Sequence, residues 1–346
     1  MPQQGRGNSV LQIFMKQKIL VILGSTATGK SDLAVKLAKW LNGPARNATH
    51  SVAGGEVISA DSRQVYKGLD IGTGKITKKE MLGVPHHMLD IISPRKVFSV
   101  AEWKKRTEKL IEDIISRKKI PIICGGTGFY IQSIVDNLVL PEVPPNPRLR
   151  KKLEKKTVSE LFSILKKLDS KRAKSIDKEN PVRLIRAIEI ARTLGKVPAL
   201  KKKKSSYEFL QIGMKLPDKD LKNRIHKRLL YRIKKGMIEE AKRLHRSRLS
   251  WKRMRELGLE YRYLAELLQK KITKAELITK LETEIWHYAK RQMTWFKRPA
   301  RNATPARNAV STASWHSVAG GDKRIKWFEP AETTKIKREV VKFLEI

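Results

Sequence analysis

The N-terminal part of the chain alternates short apolar runs with segments whose apolar positions recur at helical spacing. The run Ile19–Leu23 predicts a strand. Leu33, Ala34, Leu37 and Leu41 then fall on one face, predicting an amphipathic helix over Lys30–Leu41 packed on a sheet. Glu56–Asp61 predicts a second strand with an acid at its carboxyl end, and His87–Ile92 a third. A helix from Val100 to Arg117 follows, with Trp103, Leu110, Ile111 and Ile114 on one face. Ile120–Cys124 predicts a fourth strand, running into Gly125-Gly-Thr-Gly128. Strands alternating with helices argue for an α/β fold with a parallel, doubly wound sheet.

The rhythm changes at the Pro-rich stop Pro141–Pro147. Beyond it the pattern is helical only: Lys151–Lys167 and Pro181–Leu194 read as basic amphipathic helices, with Gly195 capping the second and Lys201–Ser206 as a polar linker. Phe209–Gly213 predicts a strand rejoining the sheet, and long helices are expected over Asp220–Arg246 and Lys274–Phe296. Residues 141–207 are therefore expected to form an inserted helical domain, with 15–140 and 208–346 as the α/β core. Residues 1–14 read as a disordered tail or a misassigned start, since Met15 directly precedes the first strand. Two stretches, 44–55 and 299–321, share Pro-Ala-Arg-Asn-Ala and His-Ser-Val-Ala-Gly-Gly pieces. They lack the fixed period and repeating core of a structural repeat and read as inserted sequence.

Composition adds a partner and a compartment. Lys+Arg 75 against Asp+Glu 34 gives a net charge of +41, which suits a polyanion, whereas a single run such as Lys201–Lys204 reads as a solvated face. One cysteine, Cys124, excludes an internal disulfide and any Cys-based zinc site. A reducing, cytoplasmic setting is expected, with no membrane span and no signal peptide.

The sharpest local signal is Gly24-Ser-Thr-Ala-Thr-Gly-Lys-Ser31, set between the first strand and the first helix. This is the context a phosphate-binding loop requires. The two glycines let the backbone turn so that successive N–H groups and the positive end of the helix face one diphosphate. Lys30 would add a mobile charge on the terminal phosphate, and the Ser31 hydroxyl would hold a Mg²⁺ that keeps most of its waters. Asp61 is expected on the same edge of the sheet, because ligands of open α/β sheets bind at the carboxyl ends of the strands. A P-loop NTPase-like sheet fits small-molecule kinases, nucleotide hydrolases and some transferases alike, and the loop alone does not choose among these nucleotide- or ATP-binding classes.

A wider assembly does choose. Asp61-Ser-Arg-Gln-Val-Tyr-Lys-Gly-Leu-Asp-Ile-Gly-Thr-Gly-Lys75, Pro85–Asp90, Gly125–Gly128 with Tyr130, Pro181–Ala187 and Arg291–Phe296 together resemble the tRNA dimethylallyltransferases, also called tRNA isopentenylpyrophosphate transferases. The resemblance runs in order from Lys18 to Trp295. It implies that the loop, Gly24, Ser25, Thr26, Ala27, Thr28, Gly29, Lys30 and Ser31, binds the diphosphate of dimethylallyl diphosphate rather than ATP, with Mg²⁺ on Ser31. It implies that N6 of the adenosine 3′ of the anticodon attacks the prenyl C1, with Asp61 as general base and Thr127 and Arg224 at the reacting centre. The tRNA contacts it implies are Asp61, Ser62, Arg63, Gln64, Thr127, Arg150, Val182, Arg183, Leu184, Ile185, Arg186, Arg291 and Gln292, with Thr127 meeting RNA where the glycines let backbones approach.

Some of these residues have a plainer reading: Asp61 as a partner of bound Mg²⁺, Arg224 as a solvated helix arginine, Trp295 and Phe296 as core. The chain departs from the family pattern at Glu256–Tyr261, and the zinc-finger extension of eukaryotic relatives is not seen, which points to a bacterial-type enzyme; a monomer is expected. The rivals are a small-molecule P-loop kinase and a non-catalytic RNA-binding protein.

Overall fold

A computed structural model describes residues 16–43, 54–297 and 324–346. Six parallel strands form one sheet in the order β3-β2-β4-β1-β7-β8, where β1 is Gln17–Gly24, β2 Gly55–Ser59, β3 His86–His87, β4 Ile120–Gly125, β7 Tyr207–Met214 and β8 Ile325–Phe328. The strands β5 (Leu138–Val139) and β6 (Lys201–Lys202) pair antiparallel in a separate ladder.

The position of β1 follows from its sequence. A run that is apolar at every position suits a strand covered on both faces, and Ile19–Leu23 is buried throughout. Ile19, Val21 and Leu23 point into one core and Leu20 and Ile22 into the other, as the two-residue period of a strand requires. The helix Lys30–Leu41 and the C-terminal helix Thr333–Leu344 cover the second face. The helices Val100–Ser116, Gly128–Val135, Asp218–Lys234 and Lys274–Phe296 contribute to the first. Among the described residues no helix is long and apolar enough to cross a membrane.

Several expected elements are broken, each for a local reason. His87–Ile92 does not extend: Met88 and Asp90 take φ of 64° and 53°, and Asp90 and Ile91 donate their N–H groups to Gln64 and Val65, so the segment is stitched to the loop after Asp61. On the helix Val100–Ser116, Thr107 rather than Leu110 completes the buried face. Asp220–Arg246 divides into Asp218–Lys234 and Met237–Arg246 at Gly236, whose φ of 97° a helix cannot continue. The insertion expected over 44–55 ends too late: Gly55 belongs to β2, and the Gly54 carbonyl accepts from Ile120 N–H. The rest of that stretch, all of 299–321 and the tail 1–14 lie outside the described residues.

The chain forms two compact units, the smaller spanning Asn137–Lys203 among the described residues. Its core gathers Leu153, Leu161, Leu165, Ala173, Leu184 and Ile188. Asn146, Thr157, Asp169 and Asn180 each cap a helix by accepting a backbone N–H, and Pro147 and Pro181 sit at helix starts, where a missing N–H costs nothing. The single helix expected over Lys151–Lys167 is two, because Thr157 and Glu160 form a capping box that opens a new one. The expected linker Lys201–Ser206 begins as strand β6, paired with Leu138 and Val139.

Candidate active site

The loop after β1 is shaped by close approaches. Gly24 has φ 142°, and a Cβ there would lie 2.4 Å from the Met214 carbonyl oxygen. Ala27 and Gly29 take φ of 63° and 88°, folding the chain back so that Lys30 opens the helix. The Ser25 carbonyl accepts from the Thr28 hydroxyl at 2.8 Å and from the Lys30 ammonium. Thr26 N–H donates to Gln292 Oε1 at 2.8 Å. The amides of Ala27, Thr28, Gly29, Lys30 and Ser31 have no acceptor among the described residues, and the buried Ser25 hydroxyl has no partner. Unpaired donors gathered at a helix N-terminus form a cup for an anion with several oxygens. Burial drives the Lys30 ammonium down to about 8, and the Arg228 charge pushes the same way while Asp61 opposes it.

Asp61 stands just past the carboxyl end of β2, on the edge that carries the loop. Its Oδ1 accepts Arg63 N–H at 2.8 Å and Gln64 N–H at 3.3 Å, an Asx turn that fixes the carboxylate. Its Oδ2 has no hydrogen bond among the described residues. Thr127 braces the same turn, donating its N–H to the Ala60 carbonyl at 3.1 Å and accepting Ser62 N–H on its hydroxyl at 3.0 Å. The neighbouring glycines answer to the protein's own packing. A Cβ on Gly125 would lie 2.2 Å from the Ala60 oxygen, on Gly126 2.2 Å from Gln292 Nε2, and on Gly128 2.1 Å from Trp295 Cδ1. What approaches these glycines is the chain's own Ala60 backbone and the Gln292 and Trp295 side chains.

Two arginines on Asp218–Lys234 complete the site. Arg224 is exposed, with Nη1 4.0 Å from where a Cβ on Gly29 would be, so it overhangs the loop. One turn on, Arg228 donates to the Gly74 carbonyl at 3.1 Å, and burial lowers its pKa. The four-residue spacing put both on one helix face, a signal in the sequence that the motifs overshadowed. Gly74 ends a loop that a buried carboxylate holds in place: Glu240 accepts the N–H groups of Asp70, Ile71 and Gly72 at 3.0, 2.8 and 2.9 Å and the Tyr261 hydroxyl at 2.7 Å. Nothing in the sequence pattern marked Glu240.

The remaining expected contacts divide. Arg291 is exposed, but Gln292 is 6% exposed and its amide is spent between Thr26 and Gly126, which corrects its reading as a base contact. Arg63 is half-buried and donates to the Glu256 carbonyl at 3.2 Å. In the smaller unit, Leu184 is fully buried and is core rather than surface. Arg150 and Arg186 both bind the buried Glu189. Burial alone would raise that carboxyl, but Arg150, the Asn146 N–H and Arg186 together hold it at about 2. Arg183 is exposed and pairs with Asp177 at 3.2 Å, Val182 is exposed, and Ile185 is half-buried.

For a divalent cation, no group of three or more His, Cys, Asp or Glu side chains among the described residues is placed to hold one. Ser31 is exposed at the helix start, beside Asp32. One hydroxyl at an anion cup fits a Mg²⁺ that arrives with substrate phosphates and keeps several of its waters.

Residues 64–299 match the IPP transferase family, IPPT. A tRNA dimethylallyltransferase 2 of Treponema denticola is 43% identical over 297 residues, covering 84% of this chain and 95% of the relative. A tRNA dimethylallyltransferase of Anoxybacillus flavithermus is 37% identical, covering 95% and 96%. Among solved structures, the tRNA isopentenylpyrophosphate transferase of Bacillus halodurans aligns with TM-score 0.63 and 31% identity over 96% of this chain and 97% of its own. A eukaryotic dimethylallyltransferase captured acting on tRNA aligns with TM-score 0.65 and 26% identity over 82% and 70%.

Proposed function

The chain belongs to the IPP transferase family, and from that premise we infer the reaction of this site: transfer of the dimethylallyl group of dimethylallyl diphosphate to N6 of the adenosine 3′ of the tRNA anticodon. The observation that carries the reading is the pairing, on one sheet edge, of an anion cup with five unpaired amides and a carboxylate that has one oxygen fixed and the other open.

The chemistry that this arrangement supports is a displacement. The N6 lone pair forms a bond to C1 of the prenyl group, the C1–O bond breaks, and its electron pair leaves with diphosphate. Charge grows on the leaving group, and donors aimed where charge develops lower the barrier. The amides of Ala27–Ser31 and the Lys30 ammonium are those donors, with Arg224 overhanging them and Arg228 adding positive charge. Bound through Ser31, Mg²⁺ would neutralise part of the same charge. The N6 proton, acidified as the C–N bond forms, passes to Asp61 Oδ2, while Oδ1 stays in the turn that aims it. Thr127 keeps that turn in register with the strand.

Chemistry on a base in a stacked loop requires the base to be turned out. Ser62, Arg63 and Gln64, which follow Asp61 directly, are the residues assigned to that base, and exposed Arg183 and Arg291 suit tRNA phosphates. A cytoplasmic location goes with a tRNA substrate, and a monomer suffices because one chain carries every residue used here.

The test is incubation with labelled dimethylallyl diphosphate and bulk tRNA, without ATP, followed by nuclease digestion. N6-isopentenyladenosine in the digest is the expected result. Label left in the donor, with ATP consumed when it is supplied in place of tRNA, would favour the kinase reading instead.

A further inference from the structure

The diphosphate loop and the Asp61 turn lie on different strands, yet the displacement needs leaving group and base at a fixed separation. One buried side chain spans them. Gln292, on the helix Lys274–Phe296, accepts Thr26 N–H on Oε1 at 2.8 Å and donates from Nε2 to the Gly126 carbonyl at 2.8 Å. The orientation of the amide is forced, because a backbone N–H can only donate and a carbonyl can only accept. Gly126 precedes Thr127, which bonds to Ala60 and Ser62 on either side of Asp61. The fit is close: any Cβ on Gly126 would fall 2.2 Å from Nε2.

We propose that Gln292 is a positioning residue that locks the diphosphate loop to the Asp61 turn, and that its contribution is to the chemical step rather than to tRNA recognition. The inference rests on the reaction proposed above. The amide has the one chemistry that serves, an acceptor and a donor on a single planar group. Glu keeps the acceptor for Thr26 but sets a second oxygen against the Gly126 carbonyl. Met keeps the length and loses both bonds. Arg291, the preceding residue, is exposed on the same helix, so a tRNA phosphate held there would share one rigid element with the loop.

The experiment compares Gln292→Met and Gln292→Glu with wild type. A misplacement of about 1 Å costs on the order of 10²-fold in rate, so kcat at saturating substrates should fall about 10²-fold. Kd for tRNA should stay within about twofold, because the side chain is buried and its amide is spent inside the protein. Kd for inorganic diphosphate, which needs no turnover to measure, should weaken about tenfold as the loop loses its tether. Gly126→Ala pushes on the same link from the other side and should reproduce these changes with Gln292 in place. The double variant Gly126→Ala/Gln292→Met should be no worse than the poorer single, since both break one connection.

A weakened tRNA Kd with kcat retained would make Gln292 a base-reading residue and overturn the proposal, as would additive effects or unchanged diphosphate binding. If wild type binds diphosphate but forms no prenylated tRNA, the reaction assignment fails, and the diphosphate Kd still judges the bridge.

Discussion

At the scale of single residues, the site places opposite demands on Lys30 and Asp61. Lys30 must be charged to hold diphosphate, yet burial and Arg228 bring its pKa from 10.5 to about 8 in the ligand-free site. The sign of the linkage follows. A folded pKa below the unfolded one means that the folded state releases this proton first, so this group makes the ligand-free protein more stable as pH rises from about 8 to 10.5. Diphosphate restores the proton, so donor binding should weaken over the same interval. KM for dimethylallyl diphosphate is expected to rise above pH of about 8, and Arg228→Met should move that break upward by removing a like charge. A flat KM from pH 7 to 10 in both proteins would remove Lys30 from the diphosphate. The sequence made Lys30 legible because the loop motif fixes its place. It left Arg228 unmarked because the guanidinium matters through Gly74 and Lys30, neighbours that folding supplies.

At the scale of elements, what was legible is what local pattern dictates. The helices Lys30–Leu41 and Lys274–Phe296 stand where apolar spacing put them, and Phe209–Gly213 lies inside the strand Tyr207–Met214. The misses share a cause: a capping box at Thr157, positive φ at Met88, Asp90 and Gly236, and a tertiary pairing for Lys201 and Lys202 all cut across otherwise plausible periodicity. The loop Asp70–Gly74 shows the same dependence on long-range contact, since its conformation is set by Glu240 from a helix far along the chain. Glu240→Ala leaves three backbone N–H groups and the Tyr261 hydroxyl without their acceptor, and the Gly72 N–H and Tyr261 hydroxyl, whose bonds are buried, cost about 1–3 kcal/mol each as orphans. A loss of more than about 3 kcal/mol in urea unfolding is expected, with the defect shared by catalysis because Gly74 carries Arg228. Stability within about 0.5 kcal/mol of wild type would mean the loop holds itself.

At the scale of the whole molecule, a net charge of +41 and a tRNA substrate belong together. Phosphate contacts make affinity fall with salt, each contributing to the slope of log K against log salt. Arg183→Ala should flatten that slope by roughly one and weaken binding without regard to tRNA sequence. Arg150 and Arg186 are poorer probes than the sequence suggested, because removing either also uncovers the charge on buried Glu189. Competition titrations at several salt concentrations decide it, and a salt-independent Kd would assign the charge to another partner.

The proposed reaction needs one oxygen of Asp61 to take the proton while the loop holds the leaving group. The most direct measurement is the single-turnover rate of prenyl transfer in Asp61→Asn with tRNA and donor already bound. Asn keeps an Oδ1 to accept Arg63 N–H, so the turn survives and only the base is lost. Loss of the base predicts a rate lower by about 10²–10⁴ with tRNA Kd within a few-fold of wild type. A rate within about tenfold of wild type would contradict it and leave Asp61 as a structural turn.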